Sequence, residues 1–321
     1  MRAIQVSEHG GPEVLRSVEV PDPEIGPGQL LVETEAIGIN FIDTYIRTGR
    51  YPQSVPYIPG GEGTGVVVAI APDVTEFKVG DRVCWAAAPG SYAEKVAVNA
   101  AVAIPVPAGV EAPVAASILL QGMTAHYLIE SIYKPEPGET VLVHAGAGGV
   151  GLILTQLLAA RGIRVITTVS TDDKEKLSRE AGAAEVLRYD DEIATRVREL
   201  TDGVGVAAAY DGVGKDTFEA SLAALRVRGT LALFGGASGP VPPFDLQRLA
   251  AAGSLFVTRP TLAHYTRDRA ELQWRAGDIL NALADGTLTI RIGATYPLSQ
   301  AEQAHRDLEG RKTTGSVVLL P

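Results

Sequence analysis

Residues 140–151 read TVLVHAGAGGVG, and this stretch decides the reading of the chain. An apolar run, Val141 to Ala145, ends in Gly146-x-Gly148-x-x-Gly151. A helical pattern of apolar residues follows at once (Leu152, Ile153, Leu154, Leu157, Leu158), and Gly162 stops it. Strand, glycine turn and helix in that order are what a dinucleotide-binding βαβ unit requires. In that reading Gly146 permits the tight turn, Gly148 lets the backbone approach a pyrophosphate, and Gly151 lets the helix pack on the strand. The free N–H groups at the helix start, on Gly149 and Val150, then face the phosphates. The plainer reading is an ordinary glycine-rich turn; the flanks on both sides favour the nucleotide.

Outward from this turn, strands and helices alternate. Arg164–Val169, Glu185–Arg188, Val206–Asp211, Thr230–Phe234 and Ser254–Val257 read as strands. Asp172–Ala181, Ile193–Thr201 and Asp216–Leu225 read as the helices between them. That pattern predicts a doubly wound parallel sheet. Upstream, short β-branched runs (Leu30–Glu33, Gly65–Ile70, Arg82–Ala86, Glu94–Val98) alternate with Gly/Pro turns and predict a barrel-like β domain. Residues 115–133 turn helical. At the far end Ser299 and Glu302 have capping-box spacing for a helix running to Leu308, and 315–320 reads as a closing strand. One helix and one strand make no core alone, so the tail is expected to pack back on the first domain. The expected organisation is α/β: residues 1–122 and 264–321 forming one domain, 123–263 the nucleotide-binding one.

Bulk composition narrows the function classes. The 321 residues suffice for two cores, and 46% hydrophobic with 21% charged residues is ordinary for a globular protein. The net charge of −10 argues against nucleic acid and anionic membrane as partners. The single cysteine, Cys84, excludes an intrachain disulfide or a cysteine cluster for metal, and fits a reducing cytoplasm. No apolar run is long enough to span a bilayer. Of the five histidines no two share ligand spacing, and His144 reads as a satisfied core residue.

The second strand of such a unit normally ends in a carboxylate that binds the ribose hydroxyls of NAD. Here it ends at Val169-Ser170, with Lys174 one helical turn on. A small residue and a nearby cation suit a ribose 2′-phosphate, so NADPH is favoured over NADH. Asp172 and Asp173 would repel that phosphate if they faced it; as carboxylates in a first helical turn they equally serve the helix dipole.

Several separated motifs occur in order: His9-Gly10-Gly11-Pro12-Glu13-Val14-Leu15, Gly38-Ile39-Asn40-Phe41-Ile42-Asp43-Thr44-Tyr45, Pro59-Gly60-Gly61-Glu62-Gly63, Val79-Gly80-Asp81-Arg82-Val83, Val257-Thr258-Arg259-Pro260 and Gly315-Ser316-Val317. With them the chain resembles, over its whole length, the medium-chain dehydrogenase/reductase superfamily, and within it the zinc-free quinone oxidoreductases related to zeta-crystallin. The resemblance implies a GroES-like catalytic domain completed by the C-terminal tail, an inserted Rossmann domain, and a homodimer joined through the Rossmann sheets. It implies that Asn40 and Tyr45 line the nicotinamide and substrate site and that Thr124 contacts the cofactor. Ser170, Lys174 and Tyr189 would surround the 2′-phosphate. Asp211 to Val213, Phe234, Gly235, Val257 and Arg259 would complete the cofactor site.

Zinc-dependent relatives carry Cys-His where this chain has Asn40-Phe41, and a histidine where it has Gly61. No metal is therefore expected. Reducing a simple ketone concentrates charge on one oxygen, for which zinc is an effective Lewis acid. A quinone or an enone spreads that charge, so hydrogen-bond donors suffice. Asn40 and Tyr45 are the candidate donors; the alternatives are that Asn40 braces a turn or holds the ribose, and that Tyr45 is a lid aromatic. Arg47 and Tyr51 are weaker candidates for the same site, and Glu62 reads as a structural bridge. The expected activity is NADPH-dependent reduction of a small quinone, with 2-alkenal or enone reduction as the rival. A nucleotide-binding protein without turnover, crystallin-like or RNA-binding, is the rival from another class.

Overall fold

The computed structural model describes residues 1–189 and 192–321. The chain divides into two compact units. The first comprises Met1–Gln121, Asp268–Leu280 and Ile290–Pro321, the second Gly122–Arg267 and Asn281–Thr289. The stretches 264–267 and Asn281–Thr289 thus lie with the second unit, although the sequence reading grouped them with the first. Local contacts account for this. Tyr265 stacks on Tyr127 at 4.6 Å, and the Thr289 N–H and hydroxyl both donate to Gln156 Oε1.

The second unit is built on six parallel strands in the order Glu185–Arg188, Arg164–Val169, Thr140–Val143, Val206–Asp211, Leu225–Leu233, Phe256–Thr258. Numbered along the chain this is 3-2-1-4-5-6, the doubly wound order whose reversal beside the first strand leaves a crevice at the strands' carboxyl ends. The central strands are buried on both faces, as their continuous apolar runs require. Helices Ile193–Glu199 and Phe218–Ala224 cover one face, where Val197, Phe218 and Leu222 pack on Leu142, Ile166, Ala209 and Leu231.

The first unit is a mainly antiparallel sheet centred on the long strand Gln29–Ile39, which pairs with Glu62–Ile70, Lys95–Asn99 and Ser316–Leu320. One core gathers around Trp85, Leu30, Val67 and Val98, a second around Ile37, Tyr92, Leu298 and Val317. The closing strand enters the second core in register, Val317 opposite Ile39 and Leu319 opposite Ile37.

Two local expectations are corrected. Residues 115–133 are not one helix: Ala112–Ala115 and Leu119–Tyr127 are separate α-helical turns, followed by a π-helical turn at Leu128–Ile132. The Ser117 hydroxyl bonds back to the Pro113 carbonyl and ends the first of them. The helix Ala301–Glu309 has no capping box, because Leu298–Gln300 forms a 3-10 turn that leads into it without a side-chain cap. In the glycine turn a non-glycine residue, Ala145, takes the left-handed backbone, at φ 54°.

Gly146 and Gly151 are demanded by packing. A Cβ on Gly146 would lie 2.6 Å from Thr167 Cβ, and one on Gly151 would lie 2.2 Å from the Ala145 carbonyl oxygen. Gly148 differs, since its Cβ would meet nothing nearer than that carbonyl at 3.3 Å. Gly151→Ala is expected to destabilise the second unit by about 1–3 kcal/mol through overpacking, while Gly148→Ala costs less; urea unfolding followed by circular dichroism compares the two.

Candidate functional site

Helix Gly149–Ala159 starts directly on Gly148, whose backbone is extended and whose position offers no side-chain cap. The N–H groups of Gly149, Val150 and Gly151 have no intrahelical acceptor. With the helix dipole behind them and only hydrogen on Gly148, they form a seat for an anionic group.

The neighbouring strand ends reach the same edge of the sheet. After Val169, Ser170 is exposed and Thr171 caps helix Asp172–Glu180, its hydroxyl accepting from the Lys174 N–H at 3.3 Å. That turn brings Lys174 Nζ to 3.4 Å from Ser170 Oγ. Tyr189, at the end of the next strand, reaches the glycine turn. Its hydroxyl accepts the Ala145 N–H at 2.9 Å and its ring stacks 6.4 Å from His144.

His144 is fully buried, with Nδ1 2.8 Å from Thr168 Oγ1 and Nε2 2.9 Å from Ser221 Oγ. Burial lowers its pKa, the Asp211 charge partly opposing, so the ring is neutral and satisfied as the sequence suggested. Asp211 is not available to a ligand through its side chain. It is buried, and its carboxylate accepts from the Val213 and Gly214 N–H groups, Thr217 Oγ1 and Ser221 Oγ. What residues 211–213 can offer is backbone. That loop touches the next: the Phe234 N–H donates to the Asp211 carbonyl, and a Cβ on Gly235 would lie 2.4 Å from the Gly212 carbonyl oxygen. Val213 is buried, Val257 lies partly exposed in the outermost strand, and Arg259 donates to the Pro260 carbonyl. Thr124 is buried on helix Leu119–Tyr127.

In the first unit Asn40 caps helix Phe41–Arg47, and Asp43 reaches back to accept the Asn40 N–H at 3.0 Å. The Asn40 side chain is engaged at both ends. Its Nδ2 donates to Glu62 Oε2 at 2.7 Å, and its Oδ1 accepts from Gln121 Nε2 at 3.3 Å. Gln121 in turn accepts from Ser316 Oγ, and Glu62 Oε1 accepts the Leu120 N–H at 2.7 Å. Gly38 makes room for this cluster, since a Cβ there would sit 2.6 Å from Glu62 Oε2. Burial, with the Asp43 charge adding to it, pushes the Glu62 carboxyl up to about 8. Asp43 is raised to about 6 by burial, against the stabilising bonds from the Asn40 N–H and Tyr92.

Tyr45 is mostly buried in an aromatic group, 5.5 Å from Phe41 and 5.3 Å from Tyr51, with the Arg50 guanidinium 4.4 Å over its ring. Arg47 is not a site residue. It is buried, donating to the Gly10 carbonyl, to Glu309 at 2.7 Å and to His305 Nδ1 at 2.9 Å. Tyr92 donates to Asp43, so the 3.0 Å contact between Tyr92 Oη and His305 Nε2 requires the histidine to donate there. With Nδ1 accepting from Arg47, the hydrogen bonds select neutral His305 protonated on Nε2. Burial and the Arg47 charge hold its pKa down to about 3.

Sequence reasoning missed Gln121, the Asp43–Tyr92–His305 chain and Arg188, which pairs with Asp172 and Glu175. Only Asp43 carried a signal, as an acid three residues after an N-cap asparagine. Among the described residues no three His, Cys, Asp or Glu side chains are grouped as metal ligands, and no helix is long and apolar enough to cross a membrane.

A GroES-like sheet and a dinucleotide-type parallel sheet on one chain define an enzyme of the medium-chain dehydrogenase/reductase class. Residues 26–108 match the alcohol dehydrogenase GroES-like domain family and residues 149–271 the zinc-binding dehydrogenase family. The chain is 44% identical to a quinone oxidoreductase of Pseudomonas aeruginosa, covering 100% of this chain and 99% of that one. It is 40% identical to a 2-haloacrylate reductase of Burkholderia, covering 99% and 98%. A mycobacterial structure complexed with NADPH superposes with a TM-score of 0.98 at 57% identity, over 100% of both chains. The chain belongs to the quinone oxidoreductase family of the medium-chain dehydrogenase/reductase superfamily and is an oxidoreductase.

The raised pKa of Glu62 has a thermodynamic consequence. A carboxyl raised from 4.5 to about 8 favours the fold in its protonated form, a contribution fully present below about pH 4.5 and lost as pH rises through 8. Glu62→Gln cannot lose that proton. Its stability relative to the parent is expected to climb between pH 5 and pH 9, as measured by urea unfolding of both proteins across about that range.

Proposed function

We propose that this enzyme reduces a small quinone with NADPH, by hydride transfer without zinc. The observation that carries the cofactor half is the end of the second strand: Ser170 with Lys174 folded over it, beside an anion-receptive glycine turn. The likeness to a mycobacterial NADPH complex supports it. These residues fit the group. The N–H groups of residues 149–151 would hold the pyrophosphate, and Ser170, Lys174 and Tyr189 the 2′-phosphate, the Tyr189 hydroxyl also accepting the Ala145 N–H. When bound, the reduced nicotinamide supplies the hydride.

The quinone half rests on the relatives and on the donor set. Asn40 has two amide hydrogens, and Glu62 takes one. We assign the other, with the Tyr45 hydroxyl, to the acceptor oxygen, where a donor stabilises the charge that develops. Glu62 orients Asn40, and no zinc is required because the conjugated ring shares that charge. The site lacks zinc-type donors at the two positions where zinc-dependent relatives place them, Asn40-Phe41 and Gly61.

A second reading is reduction of a conjugated alkene such as a 2-alkenal, which the likeness to the Burkholderia 2-haloacrylate reductase favours. Competing quinones against 2-alkenals under NADPH separates the two. We further propose a cytoplasmic homodimer joined through the outer strand Phe256–Thr258, where Phe256 and Val257 are exposed. Analytical ultracentrifugation checks the mass.

Purified protein should consume NADPH with at least one of a panel of quinones, read by loss of nicotinamide absorbance. Lys174→Ala should weaken NADPH by about 1–2 kcal/mol, roughly ten-fold, with NADH nearly unchanged. Equal losses for both nucleotides would mean that Lys174 does not meet a 2′-phosphate.

A further inference from the structure

We infer that Arg188 is a specificity-determining residue for NADPH, acting by neutralising Asp172 and Glu175 beside the seat of the 2′-phosphate. The inference rests on the proposed use of NADPH. It begins from a conflict in the sequence: the turn that would receive a doubly negative phosphate is followed by Asp172, Asp173 and Glu175. Within residues 172–175 one cation, Lys174, stands among three carboxylates, with Lys176 next in the chain.

Sheet register supplies the remedy. Arg188 ends the strand Glu185–Arg188 and lies opposite Val169, the residue before Ser170. From there its guanidinium reaches the turn and helix that follow the neighbouring strand. Nη1 donates to the Thr171 carbonyl. Nη2 pairs with Asp172 at 2.6 Å and with Glu175 at 2.7 Å. Arg179 shares Glu175 at 2.9 Å. The planar fork suits this task, because one side chain holds two carboxylates and a backbone oxygen at once. Asp172 is fully exposed, so the pairing contributes little to folding stability. Its consequence is local potential. With both carboxylates turned to Arg188, Ser170 and Lys174 present a surface that a phosphate can approach; without it, the phosphate meets their uncompensated charge within a Debye length.

The test uses dissociation constants for NADPH and NADH, by fluorescence titration of the full chain at about 0.1 M salt. The proteins are the parent, Arg188→Met, and Arg188→Met combined with Asp172→Asn and Glu175→Gln. Arg188→Met should weaken NADPH about five-fold or more and NADH less than about two-fold, and the two acid replacements should restore NADPH to near the parent value. Equal weakening of both nucleotides would overturn the inference, because Arg188 would then only shape the loop. A selective loss without recovery would also overturn it, since the guanidinium would be acting on the phosphate directly. If the parent itself binds NADPH no more tightly than NADH, the cofactor reading falls and the inference with it. The parent measurement alone tells that failure from the other two.

Discussion

The close approach of helix Gly149–Ala159 to the Ala145 carbonyl governs the dinucleotide unit. A single methyl group on Gly151 would meet that oxygen at 2.2 Å. Because the helix start is pressed this tightly against the turn, its first N–H groups are held at the carboxyl edge of the sheet rather than dispersed in a loop. The turn adopts the required left-handed step at Ala145, a residue that gains nothing from such a backbone by itself. Its N–H is held by the Tyr189 hydroxyl, and its predecessor His144 is anchored at both ring nitrogens. The strain is offset by bonds from three other segments: the strand ends at Thr168 and Tyr189 and the helix that carries Ser221.

The first unit meets a different constraint. Two carboxylates, Glu62 and Asp43, are buried near the same helix start. Each is surrounded by donors, yet burial outweighs those donors and raises both pKa values. Such groups are costly to keep inside a protein. Here they fix one asparagine, Glu62 through its amide nitrogen and Asp43 through its backbone N–H. With Gln121 on its Oδ1, Asn40 is held at three atoms, which fixes the direction of its amide.

Charge is used differently at the rim of the parallel sheet. The acidic residues that open helix Asp172–Glu180 favour the helix dipole, and a nucleotide phosphate opposes them. Under the proposed use of NADPH, Arg188 and Lys174, which come from different elements, would reconcile the two demands. In an acidic chain, cations have to be gathered locally, and sheet register is what sets Arg188 opposite Val169, beside Ser170.

Much of this was legible in the linear order of residues. The glycine turn with its flanks predicted strand, turn and helix, the alternation around it predicted the parallel sheet, and the Ser170–Lys174 spacing placed a cation over a small residue. These are local patterns, with partners a few residues apart or periodic along one element. Asn40 was legible as a residue of interest, but its partners Glu62, Gln121 and, through Gln121, Ser316 lie 22 to 276 residues away, and no spacing rule connects them. The side chains of Asp211 and Arg47 are each taken up by internal partners, which leaves Asp211 only its backbone to offer a ligand. By itself the sequence determined the elements, the class of nucleotide turn and the charge of each side chain. Only tertiary structure decided which polar groups are already satisfied and which stay open to a ligand, because satisfaction depends on the groups that long-range packing brings within 3 Å or so.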